Sequence, residues 1–177
     1  MIIGIIVDMQ EDFVNGPLGS PEARAIVPYI QEETHNKSYD ILIFTQDWHT
    51  RSLERYNLEM NRIPYHCIAG SNGARIVKGL IDEHIPTFRI LHKNNFGLYS
   101  LPDILMDEAC GYGEDITEIH IMGVCTDICI ISNALILRSA FPSVPIYVHA
   151  NGCAGSSPEA HAAALDIMTH CCIDIWE

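Results

Sequence analysis

Short apolar runs alternate with longer amphipathic stretches along the whole chain, and this alternation restricts the fold more than any other feature. Residues 2–7 and 41–45 are uninterrupted apolar runs rich in β-branched residues, as in strands that are buried on both faces. Parallel strands need crossover connections, which place helices on both faces of a sheet. The pattern therefore predicts an α/β fold of three layers, αβα, with a mostly parallel sheet of five or six strands.

The predicted elements follow this alternation in chain order. Strands are expected at residues 2–7, 41–45, 87–92, 116–122, 144–150 and, last, within 171–176. Helices are expected at residues 21–35, 73–84, 101–110, 126–140 and 156–170. Because the sequence contains no repeat, linker or low-complexity tract, we expect residues 1–177 to form a single domain.

The charge balance excludes two classes of partner. The chain has 23 acidic and 10 basic residues, so its formal net charge is -13. Nucleic acids and anionic membranes attract basic surfaces, and we therefore expect neither as a partner. No apolar run reaches the roughly 18 residues that a membrane span needs.

The seven cysteines indicate the redox setting. An odd number of cysteines cannot pair completely within one chain. The first seven residues contain no basic n-region and lead directly to Asp8, which is unlike a secretory leader. We therefore expect free thiols in a reducing, cytoplasmic setting, and we ask which thiol is reactive.

Polar side chains follow the predicted strands, at the carboxyl ends of the strands, where parallel sheets bind ligands. Asp8 ends the first strand, Lys93 follows the third, and Cys129 lies in the first turn of the helix after the fourth. Backbone N–H groups at a helix start favour a thiolate and can hold an oxyanion. Each residue alone has a structural explanation, and Cys125 is a rival thiol that precedes the helix. Together, Asp8, Lys93 and Cys129 predict a base, an electrostatic partner and a nucleophile.

A second polar set lies in and after the loop that follows the second strand. Asp47 and His49 are two residues apart at a strand end, so their side chains point the same way. Glu59 and His66 can complete a set of oxygen and imidazole donors, which suits Zn, Mn or Fe. Glu54 competes with Glu59 for the fourth position, and scattered polar loop residues are the alternative explanation.

These residues lie in motifs that resemble those of the isochorismatase-like cysteine hydrolases. The similar segments, in order along nearly the whole chain, are VDMQEDF at 7–13, TQDWH at 45–49, HCIAGSNGA at 66–74, Lys93, and GVCTDIC at 123–129. Within the family, the metal set resembles that of the nicotinamidases, which hydrolyse nicotinamide to nicotinate and ammonia. The resemblance implies a small amide substrate and a divalent metal cofactor, with Zn expected first and Fe or Mn as alternatives. Family members often form oligomers, so a homo-oligomer is expected.

The resemblance also implies roles in the reaction. Cys129 resembles the nucleophile that forms a thioester, Asp8 the proton-transfer base and Lys93 the group that stabilises the thiolate. The family often has a cis peptide bond before the residue that matches Cys125. The backbone N–H groups of Cys125 and Cys129 are therefore expected to form the oxyanion hole.

The resemblance further implies two sets of binding residues. The expected metal ligands are Asp47, His49, His66 and, seven residues before this last histidine, Glu59. Phe13 resembles an aromatic residue that lines the pyridine pocket, and Tyr65, Phe96 or Tyr99 could supply a further aromatic contact to the ring. The chain departs from the family at Ile63, where nicotinamidases usually carry Trp or Phe. This departure concerns the choice of substrate more than the reaction.

Three alternatives keep the fold and change the activity. A related metal-free amidase could act on a carbamoyl or ureido compound, although the Asp47–His49 pair argues against it. An isochorismatase would cleave a vinyl ether without using Cys129 as a nucleophile. An inactive homologue could serve as a subunit or binding partner, although the complete set of Asp8, Lys93 and Cys129 argues against this.

Overall fold

The computed structural model of the chain describes residues 1–50, 58–85 and 87–177. Across these residues, six parallel strands form one sheet in the order β3-β2-β1-β4-β5-β6. The strands are β1 Ile2–Val7, β2 Ile41–Asp47, β3 Phe88–Lys93, β4 Glu118–Val124, β5 Ile146–Ala154 and β6 Asp174–Trp176. The predicted three-layer α/β class is confirmed, with six strands.

Helices cover both faces of this sheet. They are α1 Glu11–Val14, α2 Pro21–Ala25, α3 Val27–Asn36, α4 Leu58–Arg62, α5 Leu101–Tyr112, α6 Ile131–Ala140 and α7 Pro158–His170. A π-helical turn, Thr126–Ile130, precedes α6. No helix in the described ranges combines the length and apolar character that crossing a membrane requires.

The alternation of side chains along β1 explains the two layers of core. Ile3 and Ile5 point to one face and pack with buried residues of α5, α6 and α7. Ile6 points to the opposite face and packs with buried residues of α1, α2 and α3. Because successive strand residues face opposite sides, a run of apolar residues is needed to fill both layers.

The direction in which successive strands are added to the sheet reverses between the two central strands, β1 and β4. From β1 the sheet continues to β2 and β3, whereas from β4 it continues to β5 and β6. Doubly wound sheets bind ligands at such a switch point, beyond the carboxyl ends of the strands. Gly123 lies near the end of β4 with φ of 125°, and a Cβ there would clash with the Val7 carbonyl oxygen. Glycine is therefore required where these two strands approach each other.

The helix expected at residues 73–84 is absent, and that prediction was wrong. The segment consists of turns, and its backbone groups bond to the loop that follows β1. Asp12 donates its N–H to Gly73 O at 3.0 Å, and Val77 donates to Met9 O at 2.9 Å. Gly79 has φ of 89°, which a helix does not accommodate. These long-range contacts replace the helical bonds that the local pattern indicated.

Other elements differ from the predictions in extent. The helix expected at 21–35 is two helices that meet at Ile26, and the strand expected within 171–176 is reduced to Asp174–Trp176. The fifth strand begins at Ile146 and continues to Ala154, beyond its expected end at residue 150. The helices α1 and α4 were not predicted because four or five residues are too few to show a helical period.

Candidate active site

The carboxyl end of β1 positions Asp8 in the interior of the protein. Asp8 is fully buried and has φ of 52°, a left-handed conformation that is uncommon outside glycine. Val7 pairs with Thr45 on the neighbouring strand, so the Thr45 hydroxyl reaches Asp8 and donates to Oδ1 at 2.7 Å. Asp8 in turn donates its backbone N–H to Thr45 Oγ1 at 3.2 Å. The sheet register therefore determines the direction of the carboxylate.

Lys93, the last residue of β3, lies between the acid and the thiol. Its Nζ is 2.6 Å from Asp8 Oδ2 and 3.6 Å from Cys129 Sγ. It also donates to the Asn95 backbone carbonyl at 3.0 Å. The side chains of Lys93 and Asp8 have no exposed surface, and Cys129 is 6% exposed. The structure thus brings together the three residues expected to act in the reaction.

Burial and charge act in opposite directions on this group, which we call the catalytic cluster (Asp8, Lys93 and Cys129). Burial raises the pKa of Asp8, although the charge of Lys93 opposes the shift. Burial also raises the pKa of the Cys129 thiol, and the Asp8 charge adds to this. For Lys93, the carboxylate outweighs burial and raises the pKa. The Cys129 thiol is therefore neutral at rest, and the expected helix-terminus effect does not by itself ionise it, while Asp8 and Lys93 each favour the charged form of the other.

Cys129 lies in the π-helical turn that follows β4. The peptide bond between Val124 and Cys125 is cis. Ile128 and Ile130, on either side of Cys129, both donate backbone N–H groups to the Cys125 carbonyl at 3.0 Å. The wider turn therefore directs two N–H groups at one carbonyl and presents the Cys129 backbone between them. Of the two residues expected to form an oxyanion hole, Cys125 immediately precedes this turn and Cys129 lies within it.

Asn133 joins Cys129 to the neighbouring loop, a contact that the sequence analysis missed. Its Nδ2 donates to the Cys129 carbonyl at 2.8 Å, and its Oδ1 accepts from the Leu98 N–H at 2.9 Å. The side chain is fully buried. The available signal was a polar residue four positions after Cys129, on the same face of a helix and among apolar residues.

The four residues expected to hold a metal converge beside the catalytic cluster. Asp47 Oδ2 is 2.7 Å from His49 Nε2 and 3.1 Å from His66 Nε2. Glu59 Oε1 is 3.3 Å from the same His66 nitrogen. One donor atom from each of the four residues lies within 4.8 Å of every other. The competing ligand Glu54 falls outside the described residues.

The hydrogen bonds of the two His66 ring nitrogens indicate whether this donor set fits a cation. Its Nδ1 is 2.8 Å from the Pro64 carbonyl, which can only accept, so Nδ1 carries hydrogen. In a neutral ring the Nε2 lone pair then faces the carboxylates of Asp47 and Glu59, an arrangement that requires a proton or a cation. Burial lowers the pKa of His66, but these carboxylates outweigh it and raise the pKa to about 10. Two imidazoles and two carboxylates fit a divalent ion such as Zn²⁺.

The Gln10 side chain holds the Asp47 backbone in place by hydrogen bonds, a contact that the sequence analysis also missed. Its Oε1 accepts from the Asp47 N–H at 2.7 Å, and its Nε2 donates to Asp47 O at 2.9 Å and to Ala74 O at 3.0 Å. The amide therefore links the end of β2 to the 73–85 segment. Lys93 Nζ lies 3.6 Å from Asp47 Oδ1, so the same lysine contacts both polar sets.

The aromatic residues expected to bind a ring occupy different positions. Phe96 and Tyr99 line a cleft of about 1010 Å³ that also reaches Lys93 and His49. Phe13 instead packs against His66, with ring centroids 5.3 Å apart. Tyr65 is 65% exposed and does not line the cleft.

One aromatic pair in the cleft was not expected. The rings of Trp48 and His92 stack in parallel with centroids 4.1 Å apart, and both line the cleft. The sequence placed Trp48 between two expected metal ligands but gave no indication that it would stack on His92. The stack forms because β2 and β3 are neighbours and their ends adjoin.

Comparison with known proteins gives consistent similarities over the whole chain. A family model described as the isochorismatase domain matches residues 3–176. A curated Bacillus subtilis protein, described as the uncharacterised isochorismatase family protein PncA, is 29% identical over 173 residues, covering 91% of this chain and 90% of its own.

Solved structures extend the similarity to the fold. The Bacillus subtilis nicotinamidase PncA is 26% identical, with a TM-score of 0.82 and 99% of both chains covered. The pyrazinamidase of Pyrococcus horikoshii, solved in complex with zinc, is 25% identical, with a TM-score of 0.78 and coverage of 99% of this chain and 98% of that chain. The Streptococcus mutans pyrazinamidase/nicotinamidase is 26% identical, with a TM-score of 0.82 and 99% of both chains covered.

Proposed function

This chain belongs to the isochorismatase family, and on that basis we propose that it is a nicotinamidase that hydrolyses nicotinamide to nicotinate and ammonia through a cysteine thioester. One observation carries the proposal. The Nζ of Lys93 lies 2.6 Å from Asp8, 3.6 Å from Cys129 and 3.6 Å from Asp47. A nucleophile with its base and a metal-ligand set therefore belong to one site.

The first half of the reaction begins with a proton shift inside the catalytic cluster. Asp8 takes the proton of the Cys129 thiol, and the raised pKa of Asp8 suits it to this role. The negative charge moves from the carboxylate to sulfur, and the net charge of the buried cluster does not change because the proton stays within it. Lys93 contacts both Asp8 Oδ2 and Cys129 Sγ, so it can stabilise the charge in either position. The thiolate then attacks the amide carbonyl carbon and forms the C–S bond.

The oxyanion that results is received by backbone N–H groups of Cys125 and Cys129 at the π-helical turn. Asp8 returns its proton to the amide nitrogen as the C–N bond breaks, and ammonia leaves. Asp8 then takes a proton from water, whose oxygen attacks the thioester. The C–S bond breaks, the acid is released, and the sulfur regains the proton.

Asp47, His49, Glu59 and His66 would hold a divalent cation, whose chemistry when bound is to attract a lone pair of the substrate. With such an ion bound, these residues would set the position of a substrate ring nitrogen relative to Cys129 and bring the scissile carbonyl toward the sulfur. Lys93 contacts both sets, which limits how far the ligand set can move relative to the thiol.

A second substrate class is supported by the ring-binding residues. Phe13 packs against His66, and Ile63 occupies a position that is usually aromatic in nicotinamidases. The cleft of about 1010 Å³ is larger than a pyridine carboxamide needs. A larger amide or ureido compound, cleaved by the same residues, is therefore the second candidate.

The test is ammonia release from nicotinamide, pyrazinamide and a panel of small amides and ureido compounds, with metal content measured on the same samples. We expect turnover of nicotinamide and about one divalent ion bound by Asp47, His49, Glu59 and His66. His49→Ala is expected to lose this ion and to raise KM. A matched control is His170→Ala, because His170 is exposed and lies on α7.

The outcomes test the substrate, the catalytic activity and the metal ligands separately. Ammonia from ureido compounds but not from nicotinamide would leave the thioester chemistry intact and replace the substrate. No ammonia from any compound, with the metal bound and the fold intact, would favour an inactive binding homologue. A His49→Ala protein with the same metal content as the wild-type chain would contradict the ligand assignment.

A further inference from the structure

A second group of metal-ligating side chains lies away from the candidate active site. His35, near the end of α3, approaches Asp82, with Nε2 and Oδ2 3.2 Å apart. His84 approaches the same carboxylate from the other side, with Nδ1 3.3 Å from Oδ1. The two imidazole rings are 5.2 Å apart between centroids. One donor atom of each of the three residues lies within 4.8 Å of the others.

This group lies near the amino ends of the strands, at the opposite end of the sheet from the candidate active site. His35 comes just before β2 begins at Ile41, and Asp82 and His84 come just before β3 begins at Phe88. Both segments therefore approach the amino ends of parallel strands. Cys129 and the Asp47 ligand set lie at the carboxyl ends, so the two sets of donors cannot share one ion.

Packing holds the two segments in place independently of the histidines. Leu80 and Ile85 flank Asp82 and His84, are 1% and 5% exposed, and belong to the same core cluster as Ile30 of α3. Gln31, one turn before His35, donates its Nε2 to Gly79 O at 3.0 Å. The donors are therefore presented by backbone that is fixed on both sides, which reduces the entropy lost when an ion binds.

The donor atoms are close enough together for all three residues to reach one ion. Zn–N and Zn–O bonds of about 2.1 Å place neighbouring donors about 3.4 Å apart. His35 Nε2 lies 3.2 Å from Asp82 Oδ2, and His84 Nδ1 lies 3.3 Å from Oδ1, so each imidazole is at about this distance from one oxygen of the carboxylate. Asp82 Oδ1 also accepts the His84 backbone N–H at 2.9 Å, which holds the carboxylate in place. The side chains of His35, Asp82 and His84 are 33%, 32% and 68% exposed, so an ion can enter and water can complete its coordination.

We infer that His35, Asp82 and His84 form a second, solvent-accessible binding site for a divalent transition-metal ion such as Zn²⁺. Two neutral imidazoles and one carboxylate are ligands that such ions prefer, and the net charge of -13 favours cation binding. The ion connects the end of α3 to the turn before β3. This inference does not rest on the proposed enzymatic activity.

The experiment compares the wild-type chain with His84→Gln and His35→Gln after the metal has been stripped by a chelator. Each protein is dialysed against the same free Zn²⁺ concentration, and bound zinc per chain is measured. We expect each variant to bind one ion fewer than the wild-type chain, with ammonia release unchanged. His170→Gln is the matched control, because His170 is a solvent-exposed histidine 3.8 Å from an aspartate, Asp166, on the same helix.

A second measurement needs no variant. Zn²⁺ is expected to protect His35 and His84 of the wild-type chain from diethyl pyrocarbonate, as mapped by peptide mass spectrometry, and to leave His170 reactive. Equal zinc binding by the wild-type chain and His84→Gln would overturn the inference. So would an equal loss of zinc in His170→Gln, because that result indicates general binding to surface histidines.

Discussion

Two polar clusters in the same sheet contain basic groups that respond to burial in opposite ways. In the catalytic cluster, Lys93 and Asp8 form an ion pair at 2.6 Å with no exposed surface. The second group, which we call the histidine cluster, comprises Tyr29, Lys37, Glu118, His120 and His149. His120 Nδ1 is 2.8 Å from His149 Nε2, and Tyr29 OH is 2.9 Å from His149 Nδ1.

The difference lies in which charges are in contact. Burial lowers the pKa of His149 to about 3 and also lowers that of His120, where the bond to Glu118 opposes the shift. These imidazoles are therefore neutral near pH 7. Lys93 is buried more completely and remains charged, because a carboxylate is its immediate neighbour. Burial favours the neutral form of a group unless an opposite charge compensates for lost hydration. The buried Asp8 carboxylate compensates for the burial of Lys93, whereas the Glu118 carboxylate, which is 37% exposed, does not outweigh the burial of His120.

The largest expected effect distinguishes two buried thiols, one inside the catalytic cluster and one outside it. Cys129→Ala is expected to lower ammonia release by about 1000-fold or more, because it removes the nucleophile. Cys153 is also buried, and burial raises its pKa to about 12. Cys153→Ala is expected to retain activity. A Cys129→Ala protein that still releases ammonia would contradict the nucleophile assignment.

Removing the cation should show what the ion pair contributes to stability. Lys93→Met leaves the Asp8 carboxylate buried without its partner, and we expect a loss of about 3–5 kcal/mol in the free energy of unfolding. The measurement is urea unfolding of the metal-free protein. The double variant Lys93→Met/Asp8→Asn should recover part of the loss because it also removes the unpaired charge. A single variant as stable as the wild-type chain would contradict the comparison.

The histidine cluster should make stability depend on pH. The pKa of His149 is about 3 in the folded protein, against about 6.5 when unfolded, so the unfolded chain binds the proton first as the pH falls. The stability contribution is complete above pH 6.5 and falls by up to about 1.4 kcal/mol per pH unit between about pH 6.5 and 3. Urea unfolding across this range should show a smaller slope for His149→Phe. An unchanged slope would show that His149 is charged in the folded state.

The smallest expected effect concerns one hydrogen bond of the histidine cluster. Tyr29→Phe removes the hydroxyl that contacts His149, and we expect a loss of about 1 kcal/mol in the free energy of unfolding. Ammonia release should not change, because the histidine cluster has no contact with the catalytic cluster among the described hydrogen bonds and ion pairs. A change in kcat would indicate that the two clusters are coupled.

Much of the fold could be predicted from periodicity because apolar runs must be buried on both faces of a parallel sheet. The segment 73–84 could not, because its backbone bonds to the loop after β1 rather than to itself. Gln10 and Asn133 were missed for a related reason. Each acts by bonding to backbone groups that are distant in the chain, such as Asp47 and Leu98, and nothing in their own surroundings indicates those partners.

The sequence by itself determined the α/β class, the positions of Asp8, Lys93 and Cys129 after strands, and the composition of the Asp47–His49–Glu59–His66 donor set. These follow from local patterns, because strand periodicity and residue type are properties of neighbouring residues. Only the tertiary structure decided the charge states, the π-helical turn around Cys129 and the approach of His35 to Asp82 and His84. Those features depend on the burial of polar groups and on distances between segments that are far apart in the chain. Both are established only when the strands and helices pack together.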